Sequence, residues 1–432
     1  MSQALRPIIG LAALARLAFE GGDLAQVWDG LIARVNADPA DAAALLDLAT
    51  MLLLNSQTDN GLGVQAQGLA LAQVFERPAR GDGPGLRLLA IMTAGDMMAN
   101  TPLDFLLAGS DITLISLYVD ASGVLPDPLP AHDVAFLAIG ESAANAEVLR
   151  ALQPALALWP RPLLNGDARR IAGLTRDGAC ALLDGASQIL APKAARVRRD
   201  QLAAMASGDA SLADLSLAEG FPIIARPVGT HAGGGMARLE NAVALGPYLA
   251  GQTGQDFYIC PFIDYAGPDG LYRKHRIVVI EGRPFVCHMA VSPRWMVHYL
   301  NADMLDNPAN RLEEARFMAT FDTEFAPRHQ AAFAALHERL GLDYFGIDSA
   351  ETADGRLLVF EVDVAMIVHD MDPPDLFPYK KPQMRKVSGA FQAMLARRAT
   401  GATGDGRALG PAGLGADRPG ADQGMVKYQA EK

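Results

Sequence analysis

Near the C-terminal end of the chain, two apolar stretches carry acids inside them, and few folds tolerate that. They are Tyr344-Phe345-Gly346-Ile347-Asp348-Ser349-Ala350 and Leu357-Leu358-Val359-Phe360-Glu361-Val362-Asp363-Val364, separated by a segment containing Asp354-Gly355. An Asp-Gly pair between two β-rich runs predicts a hairpin. Side chains alternate along a strand, so Glu361 and Asp363 share one face, and an antiparallel partner brings Asp348 alongside them. Three carboxylates on a shared face repel one another unless a cation sits between them. A salt-bridged surface hairpin does not explain acids set within Leu-Leu-Val-Phe. Hard oxygen donors of this kind suit Mg²⁺ bridging the phosphates of a nucleotide. Asp348, Glu361 and Asp363 are therefore the expected metal ligands.

A second pattern supplies cations. Phe221–Pro227 reads as a short buried strand ending in Arg226, and Val228-Gly229-Thr230-His231-Ala232-Gly233-Gly234-Gly235 follows at once. Consecutive glycines cost backbone entropy. A loop that brings backbone N–H groups close to an anion gives Gly233, Gly234 and Gly235 a purpose, with Arg226 meeting the same phosphates. A flexible hairpin loop is the plainer alternative. No Gly-Lys-Ser/Thr follows, so this is not a Walker A loop. Further on, Tyr258-Ile259-Cys260-Pro261-Phe262-Ile263-Asp264 is another apolar strand, whose proline suggests an edge or a connecting segment. Tyr272-Arg273-Lys274-His275-Arg276 then leads into Ile277–Ile280. In a strand Lys274 and Arg276 share a face, which suits a polyphosphate as well as a solvated edge. His288, Arg294, Trp295, His298 and Tyr299 come after it, and His369 follows the acidic strand. These are the candidate substrate wall, against the alternative of plain surface loops. No Ser-His-Asp pattern competes.

The rest of the chain sets the frame. Its 432 residues predict roughly three domains. Lys+Arg number 37 against 49 Asp+Glu, a formal net charge of −12, which argues against nucleic acid or an anionic membrane surface as partner. Three cysteines, Cys180, Cys260 and Cys287, form no CxxC. They argue against a disulfide framework or a structural zinc and fit a reducing cytoplasm. Apolar runs such as Leu86–Met92 fall far short of the ~20 residues of a membrane span, and the N-terminus does not read as a signal peptide. Residues 1–80 read as helices only. Leu14 and Leu48 lie 34 positions apart in leucine- and alanine-rich helices, which resembles tetratricopeptide repeats; a helical hairpin capping the next domain is the alternative. Residues 81–166 open on a glycine linker and then alternate strands (Leu86–Met92, Ile112–Val119, Val134–Ile139) with helices, predicting a parallel sheet in an α/β domain. Residues 167–399 hold the acidic, cationic and glycine-rich segments described above and are the expected nucleotide-binding and catalytic part. Residues 400–432, rich in glycine and without apolar periodicity, read as a disordered tail.

The order of these pieces, a cation-ended strand, a glycine loop, a hinge strand, an arginine on a strand, then Asp … Glu-x-Asp, resembles the ATP-grasp superfamily, nearest to glutathione synthetase and the ribosomal-protein glutamate ligases. The resemblance runs from about Leu86 to about Arg398. It implies an α/β pre-domain followed by a two-part nucleotide-binding domain, preceded here by the helical region. It places the phosphate-binding cation at Arg226, with an earlier one at Arg198 or Arg199, and the lid loop at Gly229–Gly235. The adenine hinge falls at Tyr258, Ile259, Phe262 and Ile263, the ribose contact at Asp264 or Asp269, and the triphosphate arginine at Arg276. Asp348 and Glu361 become the magnesium acids, with Asp363 where the family usually has Asn. The implied activity is ligation of a carboxylate to an amine through an acylphosphate, with ATP and Mg²⁺, on small-molecule or peptide substrates. The helical region implies a protein partner or an oligomer contact. Two other readings stay open: a nucleotide-sensing regulatory or scaffold protein with a degenerate site, and a kinase-like enzyme that forms no amide.

Overall fold

The computed structural model describes residues 6–79, 85–215, 217, 220–230 and 233–401, with Leu300 described by its backbone alone. The expected disordered tail falls almost wholly outside these residues, as do positions 81–84 of the expected glycine linker and His231 and Ala232 of the glycine loop. The strands in chain order are β1 (Arg6–Pro7), β2 (Val74–Arg77), β3 (Arg87–Met92), β4 (Thr113–Tyr118), β5 (Val134–Leu137), β6 (Leu163–Leu164), β7 (Ile189–Leu190), β8 (Ala195–Arg198), β9 (Ile223–Pro227), β10 (Ala237–Leu239), β11 (Asp256–Pro261), β12 (Tyr272–Ile280), β13 (Arg283–Ser292), β14 (Tyr344–Glu351) and β15 (Leu357–Asp363). They form three sheets, ordered β1-β2-β4-β3-β5-β6, β10-β9-β11-β8 and β13-β12-β14-β15-β7.

In the first sheet β3 pairs in parallel with β4 and β5, as the alternating apolar runs predict. Leu88, Leu89, Ala90 and Ile91 are all fully buried, which fits a parallel strand covered on both faces. The third sheet is antiparallel except where β7 pairs with β15. One continuous core joins these two sheets. Leu89, Ile115 and Leu137 of the first pack in the same cluster as Ile277, Phe345, Ile347 and Val359 of the third. Phe136 and Tyr344 meet across a second cluster with Phe391 of the helix Lys380–Ala399. The first and third sheets are therefore a single packed body.

The second sheet keeps its own core. Val197, Ile223, Ala225, Phe257 and Ile259 pack with Leu202, Met205, Leu245 and Leu249 of the two helices beside them. Pro261 closes β11 at its end, and β11 lies between β9 and β8, so the expectation of an edge strand is corrected. A proline at the last position removes no donor that the ladder needs.

Four helices precede the α/β part: α1 (Leu11–Phe19), α2 (Leu24–Ala37), α3 (Ala42–Leu54) and α4 (Thr58–Leu71). Asp23 and Asp41 cap α2 and α3, their carboxylates accepting from the N–H groups of Gln26 and Ala44. α3 is buried on nearly every side, as a helix of Ala, Leu and Met interrupted only by Asp47 and Thr50 requires. α4 lies close against it at Gly68, where a Cβ would sit 3.2 Å from the Ala42 carbonyl oxygen.

Residues 1–80 are nevertheless not helices only, and that expectation is corrected. β1 and β2 are strands of the first sheet, β2 pairing antiparallel with β4 from Val74↔Leu117 to Arg77↔Leu114. Phe75 is fully buried there and meets Tyr118 edge-on at 6.0 Å. Buried acids reinforce the join. Asp47 accepts from the N–H groups of Ile9 and Gly10 at 2.9 and 3.1 Å, and Asp104 accepts from Ala12 at 2.6 Å and pairs with Arg77 at 2.5 Å.

Candidate active site

Register across the third sheet decides where the polar side chains meet. His288 of β13 stands opposite Arg276 of β12, Arg276 opposite Asp348 of β14, and Asp348 opposite Glu361 of β15. Four residues from four strands thus form one row. Paired residues point to the same side of a sheet. Alternation adds Lys274 and Asp363 to that face. β-bulges flank the row at Arg276/Ile277 and at Asp348/Ser349. Such bulges re-aim side chains beside them.

Asp348 is 3 % exposed. Its two oxygens accept from Arg276 Nε and Nη2 at 2.9 and 3.1 Å, and Lys274 Nζ lies 2.9 Å from Oδ2. Burial alone would raise this carboxyl, but the two cations hold it far below the ordinary carboxylate range. Arg276 also donates to the Ile367 carbonyl at 3.3 Å. One carboxylate serves two cations, so this end of the row carries a surplus positive charge.

The other end is acidic. Glu361 accepts from Arg176 at 2.8 Å. Burial, then the charge of Glu361, pushes Asp363 up to about 7, although its Oδ1 accepts from the Ala365 N–H at 2.8 Å. Glu141, in the loop after β5, is also raised, first by burial; the nearby Arg176 cation opposes the rise. Glu141, Glu361 and Asp363 line one pocket with Arg176 without converging on a single point, and carboxylate oxygens in excess are the donor type a hard divalent cation takes. Asp348 is a different case. It is occupied by its two cations, and among the described residues no three of His, Cys, Asp and Glu converge to hold a metal ion. The expected set of Asp348, Glu361 and Asp363 shares a face but is not gathered into a coordination sphere.

This face is the floor of a cleft of about 610 Å³, within the range of small-molecule sites. The second sheet forms its roof. Along β11, Tyr258 and Cys260 turn to the cleft while Phe257 and Ile259 enter the core of the second sheet. Arg226 pairs in register with Tyr258, lines the cleft and donates to the Thr230 carbonyl oxygen and, at 3.3 Å, to Thr230 Oγ1. Burial, then the nearby Arg176, lowers Arg226 to about 10, which leaves it a cation at neutral pH. Gly235 has φ +66, and a Cβ there would come within 2.8 Å of Pro227. Gly233 has φ +79 and sits against Met296. The loop therefore needs glycine at these two positions for its own backbone path.

Of the expected residues, Arg226, Gly233, Tyr258, Phe262, Ile263, Arg276, His288, Trp295, His298, Asp348, Glu361, Asp363 and His369 line this one cleft. Others do not. Arg199 donates to the carbonyls of Gly254, Leu249 and Gln252 at 2.9, 2.9 and 2.5 Å and lies over Phe257; it pins a turn, so the phosphate role expected of it is corrected. The Ile259 side chain is fully buried in the core of the second sheet. Asp264 accepts from the Ala266 N–H at 3.1 Å, and neither it nor Gly234, Gly235 or the exposed Arg294 lines the cleft.

At the end bounded by residues 288–301 and 365–380, burial lowers His288, His298 and His369 below the ordinary histidine range, so all three are neutral at pH 7. The Met371 N–H donates to His369 Nδ1 at 3.2 Å, which leaves the ring proton on Nε2. Trp295 meets Phe262 edge-on at 5.8 Å, and its carbonyl accepts from Tyr265. Sequence reasoning missed several residues here. Lys380, 3 % exposed, lines the cleft and pairs with Asp372 at 3.0 Å and Glu314 at 3.5 Å. Glu314 in turn accepts from Tyr299 and Tyr379. Arg176 and Glu141 were missed as well, because nothing in the spacing links them to Glu361.

No family model and no curated protein matches the chain. Solved structures do. The chain is similar to a RimK domain ATP-grasp protein from Sphaerobacter thermophilus (17% identity, 72% of this chain and 99% of that one, TM-score 0.40). It is also similar to the D-alanine–D-alanine ligase from Bacillus anthracis complexed with ATP (13%, 73% and 99%, TM-score 0.44) and to that from Coxiella burnetii (10%, 74% and 96%, TM-score 0.45).

Proposed function

We propose that the chain is an ATP- and Mg²⁺-dependent ligase of the ATP-grasp type that joins a carboxylate to an amine through an acylphosphate. The row His288–Arg276–Asp348–Glu361 carries this reading, because it sets surplus positive charge directly beside surplus carboxylate on the floor of one cleft. A metal-bound polyphosphate is the ligand class that satisfies both halves at once. Arg276, Lys274 and Arg226 bind the phosphoryl oxygens and orient the terminal group. Tyr258, Phe262 and Ile263 provide the wall for the base. Bound Mg²⁺, which Glu361 and Asp363 would hold, supplies charge neutralisation on the phosphoryl oxygens. The second sheet, with its separate core, closes over the cleft and excludes water that would hydrolyse an acylphosphate. His288, His298, His369 and Trp295 face the carboxylate and amine. His369 presents an N–H donor that an oxyanion can use. The helices α1–α4, of which α1 and α4 bond to loops beside the cleft through Arg16 and Gln65, are assigned to recognition of a peptide or protein substrate.

The test is to incubate the protein with ATP, Mg²⁺ and mixtures of amines with ¹⁸O-labelled carboxylic acids. Amide product, ADP and phosphate carrying one ¹⁸O support the reading. Amide formed with unlabelled phosphate contradicts the acylphosphate route. ATP binding without turnover across a broad panel of amino acids and peptides favours the regulatory reading.

A further inference from the structure

The three bonds on Asp348 have a consequence for how the cleft fills. Two oxygens on one carbon accept a guanidinium fork and an ammonium, at 2.9 and 3.1 Å from Arg276 and 2.9 Å from Lys274. A phosphate presents oxygens to the same fork in the same way. The carboxylate thus occupies the position on these cations that a phosphoryl group needs. Directly across the ladder lies Glu361, whose own partner is Arg176.

We infer that Asp348 is an internal stand-in for a phosphate, and that the metal site closes only when a phosphate has taken Lys274 and Arg276 from it. Released, the carboxylate lies one ladder position from Glu361. A buried carboxylate that has lost its cations is costly, and a divalent cation arriving there removes that cost. Phosphate and metal therefore bind with positive coupling, and by linkage each raises the affinity for the other by the same factor. Lys274 becomes a positioning and phosphate-binding residue beside Arg276, and Asp348 serves the two ligands in turn. The inference rests on the nucleotide reading above and adds an order of assembly to it.

The experiment measures ATP binding calorimetrically in EDTA, with no divalent metal, for wild type and Asp348→Asn. Removing the competitor should tighten metal-free ATP binding by roughly five- to hundredfold, and Mg²⁺ should then add little. Unchanged or weaker metal-free binding in a folded Asp348→Asn protein overturns the inference, because a plain metal ligand behaves that way. Should that variant not fold, Lys274→Met is the second test. With one cation gone, free Mn²⁺ measured by electron paramagnetic resonance without nucleotide should bind more tightly than to wild type; no gain overturns the inference. Wild type that binds free Mn²⁺ as tightly without ATP as with it also overturns the inference, while leaving the nucleotide reading standing. Wild type that fails to bind ATP even with Mg²⁺ instead sinks the nucleotide reading itself.

Discussion

Glu361 is the residue on which the acidic end of the cleft turns. Replacing it with Gln keeps shape and removes charge, so the strand pairing β14–β15 should survive. Arg176 then loses its partner, an ion pair with both side chains partly exposed, which is worth at most about 1 kcal/mol. The expected outcome is a nearly unchanged melting temperature with nucleotide turnover reduced by at least about a hundredfold. Wild-type turnover in the variant would show that Glu361 holds no metal. Asp363 gives a pH dependence. Burial and the charge of Glu361 raise it to about 7 in the folded state, above its unfolded value. The folded protein therefore binds the extra proton, and the site's contribution to stability falls as pH rises from about 4 through 7. Metal must displace that proton, so Mg²⁺ affinity in the presence of ATP should weaken as pH falls from 8 to 6. Calorimetry in buffers of different ionisation enthalpy would detect the released proton; a flat profile removes Asp363 from the site.

Among the elements, the glycine loop ties the roof to the cleft. Gly235 combines φ +66 with a Cβ position 2.8 Å from Pro227 and 2.7 Å from Gln252. Gly235→Ala should cost at least about 1 kcal/mol. Because the second sheet has its own core, the loss should fall on amide exchange in β9–β11 and spare β12–β15. Uniformly faster exchange would show that the two bodies unfold together. The hairpin β14–β15 and the run of β12 were legible in the sequence because their signals are local: an Asp-Gly turn, strict alternation, cations spaced by two. β2 was not. Val74–Arg77 follows directly on α4, and its pairing with β4 joins residues about forty positions apart, which no window of sequence reports. Glu141, Arg176 and Lys380 escaped for the same reason. Asp348 was found but given one role, since alternation predicts a face and says nothing of which neighbour across the ladder claims the oxygens.

The whole molecule is more unified than the compositional zones suggest. Among the described residues no helix is long and apolar enough to cross a membrane. α1 and α4 reach the cleft wall: Arg16 bonds Asp370 at 2.5 Å, and Gln65 exchanges two hydrogen bonds with Gly95 at 2.8 and 3.0 Å. β2 completes the first sheet beside β4 and buries Phe75. Deleting residues 1–80 removes all of this and leaves β4 as an exposed apolar edge, which invites aggregation. The truncated protein should be recovered aggregated or with a much lower melting temperature, although the phosphate and metal candidates of the cleft floor and roof all lie later in the chain. A soluble truncation of wild-type stability contradicts this picture of the join. The central claim, that the charge-paired row is a site for metal-bound nucleotide, is tested most directly by titrating Mg-ATP calorimetrically into wild type and Arg276→Met. Saturable binding to wild type is expected, with a loss of at least about tenfold in the variant, the effect of removing a charge-assisted fork. No binding at millimolar nucleotide, or equal affinity in both proteins, would contradict it.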